Sequence, residues 1–116
     1  MITPDRFRAL TLAFEGTAEA AHFDRAAFRT TRRIFVTLAA DGRSANVSLT
    51  PELQDLFVRS RPDQFVTIKN GWGAQGWTTI DLALVDETSL NEALRAAHGL
   101  AKPAPKKTTK KKKKKK

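Results

Sequence analysis

The chain of 116 residues has no cysteine and no tyrosine, one methionine and two histidines. Without cysteine there are no disulfides and no thiolate metal sites. The two histidines, His22 and His98, are not at ligand spacing. No glycine pattern of the Walker or Rossmann type is present to cradle a phosphate. The acids are scattered: Glu15, Glu19 and Asp24 are too sparse for a hard cation, which wants several converging oxygens. No apolar run approaches the roughly 20 residues that span a bilayer, and the first residues lack a basic stretch followed by an apolar one. These absences point away from an enzyme and from a metal or cofactor. They lead us to expect a cytoplasmic, monomeric protein, with nucleoid association as one location.

Charge is plentiful but unevenly placed. Ten of the eleven lysines lie in the last fifteen residues, "KPAPKKTTKKKKKKK": Lys102, Lys106, Lys107, Lys110, Lys111, Lys112, Lys113, Lys114, Lys115 and Lys116. Residues 1–101 hold the other 11 cations and all 12 acids, so their formal charge is −1, against +9 for the whole chain. A basic surface on this body must therefore come from placement and not from excess. Its cations are ten arginines and Lys69. Arginine presents a planar fork for oriented contacts, and lysine a flexible point charge. The expected division is one compact domain, 1–101, and a disordered polylysine tail, 102–116.

Helix and strand signals alternate along the body. "ITPDRFRALTLAFEG" reads as a helix: Thr3 caps it, Pro4 suits its first position, and Phe7, Leu10 and Phe14 recur on one side. Gly16 is placed to end it. Strands follow through "AAHFDRAAFRTTRRIFVTLAADGRSANVSL", with a turn at "RTTRR" and a hairpin at Asp41-Gly42. In "SANVSL", Ala45, Val47 and Leu49 form the buried face. A second helix has Thr50 as cap, Leu53, Leu56 and Phe57 as its apolar face, and Pro62 as its stop. "QFVTIK" and "WTTIDLALV" read as strands joined by a glycine-rich loop, the second burying Ile80, Leu82 and Leu84. A last helix is capped by Asp86, or by Ser89 with Glu92 in a capping box. It buries Leu90, Leu94 and Ala97 and ends at Gly99 in a Schellman-type turn with Leu100. The sum is an α+β domain in the order helix, four strands, helix, two strands, helix. Its mostly antiparallel sheet is expected to have helices packed on one face.

The most distinctive stretch of the body is "NGWGAQGWTT". Gly71, Gly73 and Gly76 permit positive φ or close backbone approach. Trp72 and Trp77 bring large amphipathic rings to a loop and a strand start. An exposed indole there could stack on a base, with Lys69 and Gln75 as hydrogen-bonding neighbours. It could equally cap the open end of the core, the reading preferred for Trp77. The other binding candidates are Arg32 and Arg33 at the "TTRR" turn and Arg43 beside the Asp41-Gly42 turn, because an arginine-tipped hairpin can reach phosphates or a narrow minor groove. Asp81, sharing a strand face with Trp77 and Thr79, reads as a solvent-facing position or an arginine partner in preference to a catalytic acid. His22 reads as a half-buried sheet residue.

"HFDRAAFRTTRRIFVTL" followed by "WGAQGWTTIDLALVDETSLNEALRAAH" resembles the MmcQ/YjbR family of small bacterial proteins. The resemblance runs over nearly all of residues 3–100, and "WGAQGWTTIDL" is its most specific piece. It implies a fold similar to frataxin and CyaY, a double-wing α+β module, with DNA as the expected partner and no catalysis. Asp24 stands where the family usually has glycine, and the polylysine tail is an extension most members lack. Iron binding is not carried over from frataxin, because the first helix offers only Asp5 and Glu15. Two functions follow as expectations. One is a DNA-binding module whose tail supplies attraction to phosphates and whose body orients it. The other is a protein- or small-ligand-interaction domain with a solvated polybasic tail.

Overall fold

The computed structural model describes residues 1–22, 24–69 and 71–102, the side chain of His22 excepted. Three helices begin on the cap chemistry written in the sequence. Helix α1, Pro4–Leu12, starts where Thr3 Oγ1 accepts the Arg6 N–H at 3.1 Å. Helix α2, Pro51–Ser60, repeats this with Thr50 and the Leu53 N–H at 3.1 Å. Each side-chain oxygen satisfies an orphan donor of the first turn, and its loss typically costs about 1 kcal/mol. Of the two caps open for the last long helix, Glu87–Ala101, the chain uses Asp86, whose Oδ1 accepts from Ser89 N–H.

The strands are β1 (Ala18–His22), β2 (Arg25–Arg29), β3 (Ile34–Leu38), β4 (Ser44–Ser48), β5 (Phe65–Thr67) and β6 (Trp77–Asp81). A single turn of helix, α3 (Gly71–Ala74), sits inside the glycine-rich segment that reads from sequence as a plain loop. The Glu87–Ala101 helix is therefore α4. The six strands form one antiparallel sheet in the order β1-β2-β3-β4-β6-β5. The first four make a meander. The chain then passes through α2 to the far edge and returns through α3, so that β6 fills the place beside β4.

The ladder fixes which side chains share a face. Phe28 pairs with Val36, Val36 with Val47 and Val47 with Thr78. Two residues along, Leu38, Ala45, Ile80 and Phe65 are paired in the same way. All of these are buried and meet the helices, while Thr67, which extends the first row by pairing with Thr78, is exposed. Phe7 of α1 stands edge-on to Phe28, Phe57 of α2 lies on Phe65, and Leu90, Leu94 and Ala97 of α4 complete the cluster. The β2–β3 ladder slips between Phe28 and Arg29, leaving Phe35 as an extra residue. A bulge of this kind turns two consecutive side chains toward one side. Phe35 and Val36 are both fully buried, and Phe35 reaches His98 of α4 edge-on.

Five expectations are corrected. Leu56 is 59% exposed and Gln54 is buried in its place, because α2 turns its Gln54 amide toward two backbone carbonyls. Leu84 is 54% exposed, since β6 stops at Asp81 and the chain bends, sending Val85 inward instead. Helix α4 does not stop at Gly99 but runs to Ala101 with Lys102 as its C-cap, so no Schellman turn forms. In "SANVSL", Ser48 is buried as well as Ala45, Val47 and Leu49. The first helix also stops short of Gly16, at Leu12 with Ala13 as its C-cap, and Gly16 instead takes a left-handed conformation (φ 74°) in the turn that leads to β1.

Candidate functional site

Antiparallel strands send alternate connections to opposite ends of the sheet, and this sorts the candidates. Arg29 ends β2 and Ile34 begins β3, so the "TTRR" turn lies at one end. Ser48 ends β4, Trp77 begins β6 and Thr67 ends β5 at that same end, by the pairs Ser48 with Trp77 and Thr67 with Thr78. Arg32, Arg33, Lys69, Trp72 and Gln75 therefore share one end of the sheet. Arg43 does not. It follows the Asp41-Gly42 turn at the opposite end, next to Ser44, which pairs with Asp81. Consecutive hairpins of a meander point opposite ways, so Arg43 does not share a surface with Arg32 and Arg33.

The first end is built around Thr30. Its hydroxyl donates to the Ala101 carbonyl at 2.6 Å and accepts from the Arg32 N–H at 3.1 Å and the Arg33 N–H at 3.4 Å. Arg32 Nη1 donates to the Leu100 carbonyl at 3.1 Å. The guanidinium thus satisfies a last-turn carbonyl and faces the negative end of the α4 dipole. Arg32 is consequently committed to structure, whereas the Arg33 side chain is exposed and makes no hydrogen bond or ion pair with another described residue. Lys102, where the lysine-rich segment begins, stands beside this knot, its carbonyl 3.5 Å from Arg32 Nη1. The lysines named above from Lys106 onward lie outside the described residues.

Trp72 and Gln75 are carried by a segment pinned at several points. Gln54 Nε2 donates to the Gly73 carbonyl at 3.0 Å and to the Trp77 carbonyl at 2.9 Å. A Cβ on Gly73 would run into the Ile68 carbonyl, and one on Gly76, whose φ is 108°, into the Leu49 carbonyl. Gly71 has neither constraint. The Trp72 ring is 59% exposed and meets half-buried Trp77 edge-on, with centroids 6.2 Å apart. Trp77 alternates with buried Thr78 and so lies on the sheet face away from the Phe28–Val36–Val47 row, together with Thr79, whose hydroxyl donates to Asn46 Oδ1 at 2.8 Å. Sequence reasoning missed Gln54. Its only signal is an amide set between Leu53 and Phe57 on an otherwise apolar helix face.

The opposite end collects acids. Asp24 lies in the β1–β2 turn, Asp41 in the β3–β4 turn, Asp63 before β5 and Asp81 at the end of β6. Asp86 and Asp5, at the starts of α4 and α1, are brought there by the Val85 N–H on the Asp81 carbonyl and the Ile2 N–H on the Leu82 carbonyl. Glu87 also sits here, paired with Arg6 by two hydrogen bonds, one of 2.9 Å from Nε. That partner lowers the Glu87 carboxyl below its ordinary range, and the Ser89 hydrogen bonds do the same for Asp86. Asp81 accepts the Ala83 N–H at 2.9 Å, which explains it as a turn former. Trp72 and Asp81 are at opposite ends of β6 and do not meet. Arg59 and Arg61, further cations of the body, are neutralised by Asp55 and Glu92. A cleft of about 260 Å³ at this end is lined by Pro4, Arg8, Asp24 and Asp41, among others. Among the described residues no three His, Asp or Glu side chains converge as a metal site, and no helix is long and apolar enough to cross a membrane.

Two solved structures share this architecture. A Deinococcus radiodurans protein of the DUF419 domain, DR2400, aligns with a TM-score of 0.72 at 19% identity over 86% of this chain and 78% of its own. A Pseudomonas syringae protein aligns with a TM-score of 0.65 at 12% identity over 85% of this chain and 98% of its own. At these identities the likeness establishes the fold. No functionally curated protein matches the sequence. The YjbR family model matches residues 12–100, which take in the whole sheet, the tryptophan segment and all but the last residue of α4; with that match over most of its length, the chain belongs to the YjbR family.

Proposed function

We propose that the protein is a nucleic-acid-binding module that approaches phosphates with one end of its sheet and with the lysines that follow it. The observation that carries this reading is the partition of charge along the strands. Arg29, Arg33, Lys69 and Lys102 outnumber Glu15 and Glu52 at the end where the lysine-rich segment begins, and Asp5, Asp24, Asp41, Asp63, Asp81 and Asp86 outnumber Arg25 and Arg43 at the other, where Arg6 is taken up by Glu87. A body of formal charge −1 thereby becomes a dipole. In a polyanion's field such a body turns its basic end forward, and steering of this sort raises association rates most at low salt. The ten lysines supply sequence-independent attraction, and Arg33 and Lys69 orient the body on the backbone.

The test is binding to a duplex of about 30 base pairs over a series of salt concentrations, for the full chain and for a chain ending at residue 101. All the buried apolar residues of the core cluster lie within 2–101, so the shorter chain retains its core. If about seven lysines neutralise phosphates they contribute roughly −6 to the slope of log affinity against log salt, and with Arg33 and Lys69 the full chain should reach about −8. The shorter chain should retain a slope of about −2, from Arg33 and Lys69. Binding by the full chain that is absent, or indifferent to salt, rules the reading out. Binding carried wholly by the lysines, with none left in the shorter chain, rules out the part assigned to the body.

A further inference from the structure

Trp72 sits on a segment whose backbone is held at several points. The Gly73 backbone is pressed against the Ile68 carbonyl and Gly76 against the Leu49 carbonyl. The Gln54 amide ties Gly73 and Trp77 together from below, and Gly76 N–H closes the turn on the Gly73 carbonyl at 3.0 Å. Gln54 is an amide buried where the helix pattern calls for a hydrophobic residue, and its two bonds both serve this segment. Trp72, 59% exposed, is thereby carried on a pinned backbone, with its ring braced edge-on by a second indole. Ordering entropy has been spent before any partner arrives, which is the property of a binding platform.

We infer that Trp72 is a stacking platform for an unpaired base, so that the body distinguishes single-stranded from double-stranded nucleic acid. The inference rests on the nucleic-acid reading above and deepens it. An indole offers a flat π-face to any base, while in an intact duplex the base faces are already occupied by their neighbours. The surroundings fit a strand and not only a base. Lys69 precedes the platform and Gln75 follows it, both exposed, giving a cation for phosphate and an amide for a base edge. Behind Trp77, the same sheet face presents the Thr79–Asn46 hydrogen-bonded pair, a polar surface along which a strand can continue. Exposed Val66 lies on this face as well, beside Thr79 in the β5–β6 ladder.

Only two tryptophans are present, so their fluorescence reports directly on the platform. The full chain is titrated with a thymidine 20-mer and with a duplex of equal phosphate number, at about 0.3 M salt so that the lysine contribution is weakened. The single strand should quench the emission and bind more tightly than the duplex. Trp72→Ala should lower single-strand affinity about tenfold, the usual cost of losing one base stack, and leave duplex affinity unchanged. Trp72→Phe, which keeps a π-face, should retain most of the preference. Equal binding of the two DNAs without quenching, or a Trp72→Ala variant that still prefers the single strand, overturns the inference. So does a variant weakened equally toward both, which would mark Trp72 as structural, or affected toward neither, as expected if the ring docks on another protein. Each of these leaves salt-sensitive duplex binding by the unmodified chain intact, whereas loss of all binding by the unmodified chain would instead remove the broader reading.

Discussion

The two ends of the sheet are made from the same kinds of turns, yet they differ in charge and in construction. At the acidic end, carboxylates are spent on local order: Asp41 accepts from Arg43 N–H, Asp81 from Ala83 N–H and Asp86 from Ser89 N–H. At the basic end the turns are ordered by neutral groups, the Thr30 hydroxyl and the Gln54 amide, with Arg32 spent on helix α4. Arg33 and Lys69 are thereby left over at the one end, while at the other most acids double as caps. Order is obtained from anions where cations are not wanted, and from neutral donors where cations are to face outward. A fold of nearly neutral body charge can in this way expose a basic surface without adding a cation.

The sharpest way to break the comparison is through the backbone of the basic end. Gly73→Ala puts a methyl group against the Ile68 carbonyl, which cannot move without displacing β5 from β6. We expect a loss of about 3 kcal/mol or more in a denaturant or thermal melt, in the class of severe backbone effects. Gly71→Ala, with open space around it, should be neutral. At the acidic end, Gly42→Ala meets only the ring of Pro4, at 2.7 Å, and carries a positive φ of 72°. It should cost less, about 1–2 kcal/mol. If the two ends respond alike, the basic end is not the more rigidly built.

Charge reversal asks the same question of binding. Arg33→Glu together with Lys69→Glu should weaken DNA affinity more than tenfold and make the salt slope shallower by about 2, one unit per lost phosphate contact. Arg43→Glu changes the net charge by the same amount per site but at the other end. It should alter affinity less than twofold. Anisotropy titrations at two salt concentrations separate the outcomes, and equal effects per site would show that only total charge matters.

Acid should act on one end only. The Asp86 carboxyl is held below its ordinary value by the Ser89 backbone and side-chain hydrogen bonds, with a smaller contribution from the Arg61 charge, and Glu87 by Arg6. A depressed folded-state pKa means that the folded protein binds fewer protons than the unfolded one in that range. The associated stability is present above the unfolded values, near 3.8 and 4.5, and is lost as pH falls through the folded ones. Melting temperature should therefore drop between pH 5 and pH 2.5. Asp86→Asn, which keeps a cap acceptor but does not titrate, should flatten that drop. Thr50→Ala removes a cap at the basic end and should lower stability by about 1 kcal/mol equally at both pH values.

The sequence made local chemistry legible and left long-range pairing dark. The caps Thr3, Thr50 and Asp86 and the hairpin glycine Gly42 depend on neighbours within a few residues, and each was visible. The core positions Ala45, Val47 and Ile80 follow from alternation. The bulge at Phe35 does not, because it exists only relative to β2. The insertion of β6 between β4 and β5 is likewise a property of the sheet. It is this order, with the meander, that gathers Arg33, Lys69, Trp72 and Lys102 while sending Arg43 away. The candidate residues were therefore readable one at a time, and their grouping was not.

The smallest expected effects concern the residues whose apolar character misled. Leu84 follows Ile80 and Leu82 in perfect alternation, and Leu56 sits one place from Phe57, so both read as core. The chain bends after Asp81, where its carboxylate takes the Ala83 N–H and its carbonyl the Leu84 and Val85 N–H groups, and alternation ceases to mean burial. On α2 the buried side passes through Gln54 and Phe57, which leaves Leu56 in solvent. Leu84→Ser and Leu56→Ser remove exposed side chains and should each change stability by less than about 0.5 kcal/mol. Val85→Ser and Phe57→Ala, their buried neighbours at 3% and 6% exposure, should cost several times more, about 2–4 kcal/mol. Leu84 belongs to the acidic end and lies far from Trp72, so its substitution should also leave DNA affinity untouched. A Leu84→Ser variant that lost binding would mean that the acidic end takes part in the interface, and the division of the molecule into two ends would have to be redrawn.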